Sequence, residues 1–123
     1  MTEHATDQQA INQVLRKYVE GMLFADQARL RQAFHPDGRI IGHYHGELEW
    51  LSLDDFIAAI EAEGPDPSAA QPVWQVESID ITGDAAAVKM TDLYFDLKFT
   101  DYLALLKIGQ DWVIVNKLYY HHA

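Results

Sequence analysis

Asp92 and Asp101 carry the strongest chemical signal in this sequence, because each interrupts a run rich in β-branched, aromatic and aliphatic residues, "AAAVKMTDLYFDL" and "FTDYLALLKI". A carboxylate held in apolar surroundings has its charged form disfavoured. Its proton affinity then rises towards the range where it can take a proton from a carbon acid or hand one to a leaving group. Tyr18, Tyr94 and Asn116 are polar groups able to work beside them, since a tyrosine hydroxyl and an asparagine amide each both donate and accept. Asp92 and Asp101 are therefore the candidate catalytic residues, and Tyr18, Trp50, Trp74, Tyr94 and Asn116 the candidate ligand contacts. Plainer arrangements fit the same letters: Asp92 as a solvated residue of an outer sheet face, Asp101 as a strand-start residue paired with Lys117 or a backbone donor, and the tryptophans as core or rim. Lys117 itself reads as an anion contact or as an outer-face residue.

The stretch "FHPDGRIIGHYHG", Phe34 to Gly46, raises a second possibility with His35, His43 and His45. His43 and His45 stand two apart on an expected strand and so point to one side, a geometry open to a metal. No nearby residue is spaced to supply the remaining ligands, and His121 and His122 lie where chain ends fray. No metal and no cofactor is expected. His35 ends a helix, where an imidazole can meet unpaired carbonyls, and reads as structural.

These residues must be positioned by a small set of elements. Ile11, Val14, Leu15, Tyr18 and Met22 recur at helical spacing, which predicts an amphipathic helix over 6–22 with Thr6 and Gln9 as a capping box. Asp26 opens a second short helix that Pro36 must end near His35, and "PDG" follows as a turn. "RIIGHYH" is a strand leading through Gly46 to a third helix, capped by Ser52 and ended by Gly64. After the proline-rich loop "PDPSAAQP" the period changes to that of strands, and Gly83-Asp84 and Gly109-Gln110 suit type II′ turns of two antiparallel hairpins. Two-residue turns set Ile81 against Ala86, Ile79 against Val88, Glu77 against Met90, Gln75 against Asp92 and Val73 against Tyr94. In the second hairpin Ile114 faces Leu105, Asn116 faces Leu103 and Leu118 faces Asp101. Helices first and meandering strands afterwards predict an α+β fold with three helices on one face of a curved antiparallel sheet.

Size and charge bound the function. The 123 residues, 49% apolar, make one domain, 1–123, with one real core. Nineteen acidic against nine basic side chains give a formal charge of -10, which disfavours nucleic acid and anionic lipid as partners. The chain has no cysteine, which excludes disulfides, thiolate metal sites and cysteine nucleophiles. No apolar run reaches the roughly 18 residues that span a bilayer, so a cytoplasmic protein is expected. The outer face of the second hairpin, with Val113, Val115, Leu106, Ala104, Tyr102 and Tyr119 around Lys117, is nearly as apolar as the inner one, and a homodimer through it is expected.

The segments "YVEGMLFADQARLRQAFHPDGRIIG", Tyr18 to Gly42, and "TDYLALLKIGQDWVIVNK", Thr100 to Lys117, with "LDDFIAAI" and "IDITGDAAAVKM" between them, resemble the putative lumazine-binding family of the nuclear transport factor 2-like superfamily. The resemblance implies a cone-shaped α+β barrel, a bent sheet of about four to six strands around a long helix, with a cavity between sheet and helices. It also implies kinship with ketosteroid isomerase, scytalone dehydratase and SnoaL-like polyketide cyclases, and with binding modules that do no chemistry. A protein that binds a small, partly apolar or aromatic molecule is the first expectation. A cofactor-independent lyase or isomerase with an aspartate base is the second, and a non-catalytic dimerisation or protein-binding module the third.

Overall fold

The computed structural model describes residues 3–122, with side chains over 6–122. Its elements run α1 (Glu3–Leu23), α2 (Gln27–Ala33), β1 (Phe34–Tyr44), β2 (Glu47–Ser52), α3 (Leu53–Glu63), β3 (Trp74–Thr82), β4 (Ala85–Tyr94), β5 (Leu97–Ile108) and β6 (Asp111–His122). The long helix forms as its spacing predicts, and it buries Ile11, Leu15, Tyr18 and Met22 against the sheet. It begins upstream of Thr6, so Thr6 is not its N-cap. Asp26 caps α2 through Arg29 N, and Ser52 caps α3 through Asp55 N, each side-chain oxygen accepting an amide proton that the first turn leaves without a helical partner.

Six strands form one curved, unclosed sheet in the order β2-β1-β6-β5-β4-β3. All pairs are antiparallel except β1 with β6, which are parallel, so the first and last strands lie side by side within the sheet, covered at its edge by β2. The strand β2, "ELEWLS", was not expected: it is short, and its alternation is inverted, with Leu48 and Trp50 exposed and Glu49 turned to the cavity. Nor is "PDG" a free turn, since β1 already runs from Phe34, with an irregularity between Phe34 and Arg39.

Gly83 and Gly109 take positive φ at the two expected hairpin turns. Near those turns the pairings hold, with Ile81 against Ala86, Ile79 against Val88 and Ile114 against Leu105. Beyond them two β-bulges intervene. Glu77 is an extra residue in β3, so Val76 faces Met90 and Trp74 faces Asp92. Val115 is an extra residue in β6, so Asn116 faces Ala104, Lys117 faces Leu103 and Tyr119 faces Asp101. Because side chains alternate, one inserted residue turns the remainder of the strand over. Lys117 and Tyr119, expected outside, are buried inside, while Asn116 and Leu118, expected inside, face outward.

A third hairpin turn, Phe95-Asp96, has positive φ at both residues without a glycine, a conformation that L side chains resist. Asp66 of the proline-rich loop holds it: the carboxylate accepts Phe95 N at 2.6 Å, and Ser68 N and Oγ at 2.8 Å each. No helix among the described residues is long and apolar enough to cross a membrane.

Gly42 is where backbone approach is tightest beside the cavity. A Cβ there would lie 2.7 Å from both the carbonyl oxygen and the Cε2 of Tyr119 on the neighbouring strand. Overpacking of this kind costs roughly 1–3 kcal/mol. Gly42→Ala is therefore expected to lower stability by about that amount in denaturant unfolding, and unchanged stability would show that β1 and β6 are not packed as described.

Candidate functional site

Asp92 on β4 and Asp101 on β5 both point to the inner face. Asp92 pairs with Phe99 and Met90 with Asp101, so the two carboxyls are diagonal neighbours across the ladder. Asp92 is 3% exposed and Asp101 0%. Tyr18 of α1 donates its hydroxyl proton to Asp101 Oδ2 at 2.6 Å, a short bond between fully buried groups. Burial first, then the charges of Asp101 and Asp92, push the Tyr18 hydroxyl well above its ordinary range, so it remains a neutral donor.

Neither oxygen of Asp92, nor Oδ1 of Asp101, meets a protein donor. Two ionised carboxylates offer each other no proton, but a proton held at Asp92 makes it a donor to Asp101. Burial is the largest cause that raises the proton affinity of Asp92 well above that of an ordinary aspartate. The charge of Asp101 and a hydrogen bond between the two carboxyls add to this, and the positive charge of Lys117 partly opposes it.

Asp92 opens onto a cavity of about 180 Å³ between the sheet and α3. Met22, Ile40, Leu51, Phe56, Ile60 and Phe99 make its apolar wall, and Asp92, Lys117, Tyr94, Tyr119, Glu49 and Glu63 its polar groups. The Tyr94 hydroxyl is buried with no hydrogen-bond partner, and burial, more than the neighbouring acidic groups, pushes its proton affinity up. Tyr119 donates to Glu49 Oε1 at 2.6 Å, which ties β6 to the edge strand β2 at one side of the cavity.

Lys117 is 5% exposed. Its Nζ lies 5.0 Å from the ring centre of Tyr18, 4.8 Å from Phe56 and 5.3 Å from Tyr119, and 3.7 Å from Met22 Sδ. Three rings around an ammonium supply electrostatic stabilisation that survives removal from water. Lys117 forms no ion pair among the described residues.

Of the residues expected from sequence, Asp92 and Tyr94 line the cavity, and Asp101 and Tyr18 form a buried layer behind Asp92. The other three do not line it. Asn116 is on the outer face, turned there by the bulge at Val115, and borders a shallow groove with Tyr102 and Leu118. Trp50 is 66% exposed on β2. Trp74 is half-buried opposite Asp92, with the Arg16 guanidinium 5.8 Å from its ring. Tyr119 and Glu49 are cavity residues that sequence reasoning missed, and Lys117, read there as an anion contact or an outer-face residue, joins them; only knowledge of the bulge would have turned Lys117 and Tyr119 inward.

The histidines are arranged otherwise than expected. His45 lies in a turn at φ 51 rather than on the strand with His43, yet both border one surface pocket with His121, whose ring centre is 5.0 Å from that of His45. His35 accepts Asp37 N through Nδ1 at 2.9 Å instead of meeting helix carbonyls. His121 and His122 are paired into β6, His121 stacking on Phe99 at 5.1 Å and His122 bonding Thr100 Oγ1 at 2.8 Å, so this end is not frayed.

An aspartate whose folded-state proton affinity is raised stabilises the fold only while protonated. Its contribution is fully present below the ordinary ~3.9 and is lost as pH rises through the raised value. Asn mimics the protonated form. Asp92→Asn should therefore raise the melting temperature, with a gain that is small near pH 4 and grows at higher pH, by about 1.4 kcal/mol for each tenfold increase in Asp92 proton affinity on folding. A gain independent of pH, measured by thermal unfolding, would contradict the assigned environment.

The family model described as "Putative lumazine-binding" matches residues 6–120. A nuclear transport factor 2-like protein of unknown function from Silicibacter pomeroyi DSS-3 is 30% identical and superposes with a TM-score of 0.91 over 99% of this chain and 100% of that one. One from Shewanella baltica OS155 is 29% identical, with a TM-score of 0.88 over 100% and 99%. The protein "Aldolase FrzH" of Cladobotryum sp is 28% identical over 127 aligned positions, covering 99% of this chain and 98% of that protein. With the family model spanning nearly every element of the fold and both faces of the cavity, this chain belongs to the putative lumazine-binding family of nuclear transport factor 2-like proteins.

Proposed function

We propose that this protein binds a small, largely apolar carbonyl compound in the cavity and transfers a proton at the carbon beside the carbonyl, the step shared by aldol chemistry and double-bond isomerisation. The observation that carries this reading is Asp92: buried, facing the cavity, and without a protein donor on either oxygen. A base works best when its proton affinity is tuned towards the operating pH, which is the direction burial moves Asp92. Proton removal would place negative charge on the carbonyl oxygen. The Tyr94 hydroxyl and the Lys117 ammonium are two donors in the cavity lining that could meet it. Asp101 and Tyr18 act behind Asp92 as positioning residues.

Size narrows the ligand. An engineered apolar cavity of about 150 Å³ takes up benzene, so a hollow of about 180 Å³ suits one ring with a short polar chain. The name of the aldolase relative adds support, since aldol reactions begin with this proton transfer. The outer sheet face, where Tyr102, Leu118 and Tyr120 are exposed, supports a homodimer through that face. Sedimentation at micromolar concentration is expected to give twice 14.0 kDa, and a 14.0 kDa species alone would reject it.

The reaction is tested by NMR of α-hydrogen exchange in D₂O with 4-phenyl-2-butanone, 2-tetralone and cyclohexanone. Exchange catalysed by the wild type should rise with pH through a midpoint above the ordinary carboxylate range, because the base must be ionised. It should fall about 10²–10⁴-fold in Asp92→Asn. Ligand-induced thermal shifts without any exchange would leave a binding protein and remove the catalytic reading.

A further inference from the structure

Lys117 has an arrangement that charge stabilisation alone does not require. A lysine drawn into a protein interior normally ends at a carboxylate, because an unpaired buried charge is costly. Lys117 instead ends among the rings of Tyr18, Phe56 and Tyr119 and the sulfur of Met22, while its stem lies on β6 between Leu103 and Ile40. None of these neighbours is a strong acceptor that would hold the amine in one orientation. Asp92 lines the same cavity without being bonded to it. A lysine nitrogen, a proton carrier and a largely apolar hollow thus share one space.

We infer that Lys117 is a covalent catalytic residue whose Nζ condenses with the carbonyl carbon of the ligand to form an imine. The inference rests on the proton-transfer reading of the same cavity, and replaces a hydrogen bond to the carbonyl oxygen with a covalent electron sink. The step balances within the site. The Asp92 carboxylate takes one proton from the Lys117 ammonium. The freed amine adds to the carbonyl carbon, and a proton passes from nitrogen to oxygen to give a neutral carbinolamine. Protonated Asp92 then returns its proton to that hydroxyl, which leaves as water while the nitrogen lone pair closes the C=N bond. Ammonium and ketone have become iminium and water, and Asp92 is again a carboxylate, ready to take the α-proton.

The aromatic cage fits this sequence because the step begins and ends with a cation at the same nitrogen. The rings stabilise the iminium as they stabilise the ammonium. A guanidinium in place of Lys117 keeps the charge but cannot form the imine, so Lys117→Arg separates the two roles.

The test uses the full chain with the same three ketones, each followed by sodium borohydride, which delivers hydride to an iminium and fixes it as a secondary amine. Intact mass and peptide mapping should show one adduct, of ketone mass less one oxygen, on Lys117. The adduct should persist in Lys89→Arg, a change on the outer face, and be absent from Lys117→Arg and Lys117→Met. Circular dichroism reports whether each variant folds, and either folded variant suffices. Exchange in Lys117→Arg should fall at least ~10²-fold, as expected for losing an electron sink rather than a charge.

Failure of all three ketones to label Lys117 in the wild type overturns the imine. If Asp92-dependent exchange persists in that case, the proton-transfer reading stands and Lys117 acts by charge alone. If exchange is absent as well, both readings fall. Labelling spread over surface lysines, or unchanged exchange in Lys117→Arg, also overturns it.

Discussion

Two carboxyl groups set into one apolar sheet face out of reach of bulk water cannot both ionise freely, and the surrounding structure is arranged around that constraint. Burial disfavours charge at Asp92, and the nearby Asp101 carboxyl disfavours it further. Tyr18 offers Asp101 a donor from the far side, and Lys117 sets a positive charge against the pair. The resulting group of side chains comes from α1, β4, β5 and β6, so it exists only when helix and sheet are docked. Its polar members are surrounded by residues such as Met22, Phe56, Met90 and Leu103, which supply the packing energy and keep the local dielectric low.

Positioning depends on a break in regularity. Without the extra residue at Val115, β6 would present Asn116 and Leu118 to the interior and leave Lys117 and Tyr119 on the outer face. The bulge places an ammonium and a hydroxyl on the inner side, and Gly42 leaves room for the Tyr119 backbone and ring to lie against β1. Tyr119 then reaches Glu49 on β2, which links the centre of the sheet to its edge and fixes one boundary of the cavity. The Phe95-Asp96 turn does similar work at the other side: Asp66 holds its strained backbone, and the adjacent Tyr94 hydroxyl projects inward.

Local signals explain what was legible from sequence. Asp26, Ser52, Gly64, Gly83 and Gly109 each answer a need of the backbone at their own position, so caps, stops and hairpin turns could be read directly. The apolar stripe of α1 was equally plain, as were Asp92 and Asp101, each a polar interruption on an otherwise apolar strand face. The bulges at Glu77 and Val115 carry no obligatory residue type, and each reversed the parity of everything beyond it. That is why Trp74 rather than Gln75 opposes Asp92, and why Lys117 rather than Asn116 enters the cavity. The edge strand β2 was hidden for a different reason: it is short and its alternation is inverted, with Leu48 and Trp50 exposed and Glu49 turned inward. The kinship of the chain supplied the cone and its cavity, but which side chains face inward had to come from the register.

The central claim is that Asp92 is a buried carboxyl held against ionisation by burial and by Asp101. Its titration followed by carbon-detected NMR, in the wild type and in Asp101→Asn, tests this most directly. The account predicts a midpoint well above the ordinary ~3.9 in the wild type, moving down when the Asp101 charge is removed. A midpoint at the ordinary value, unmoved by Asp101→Asn, would contradict it.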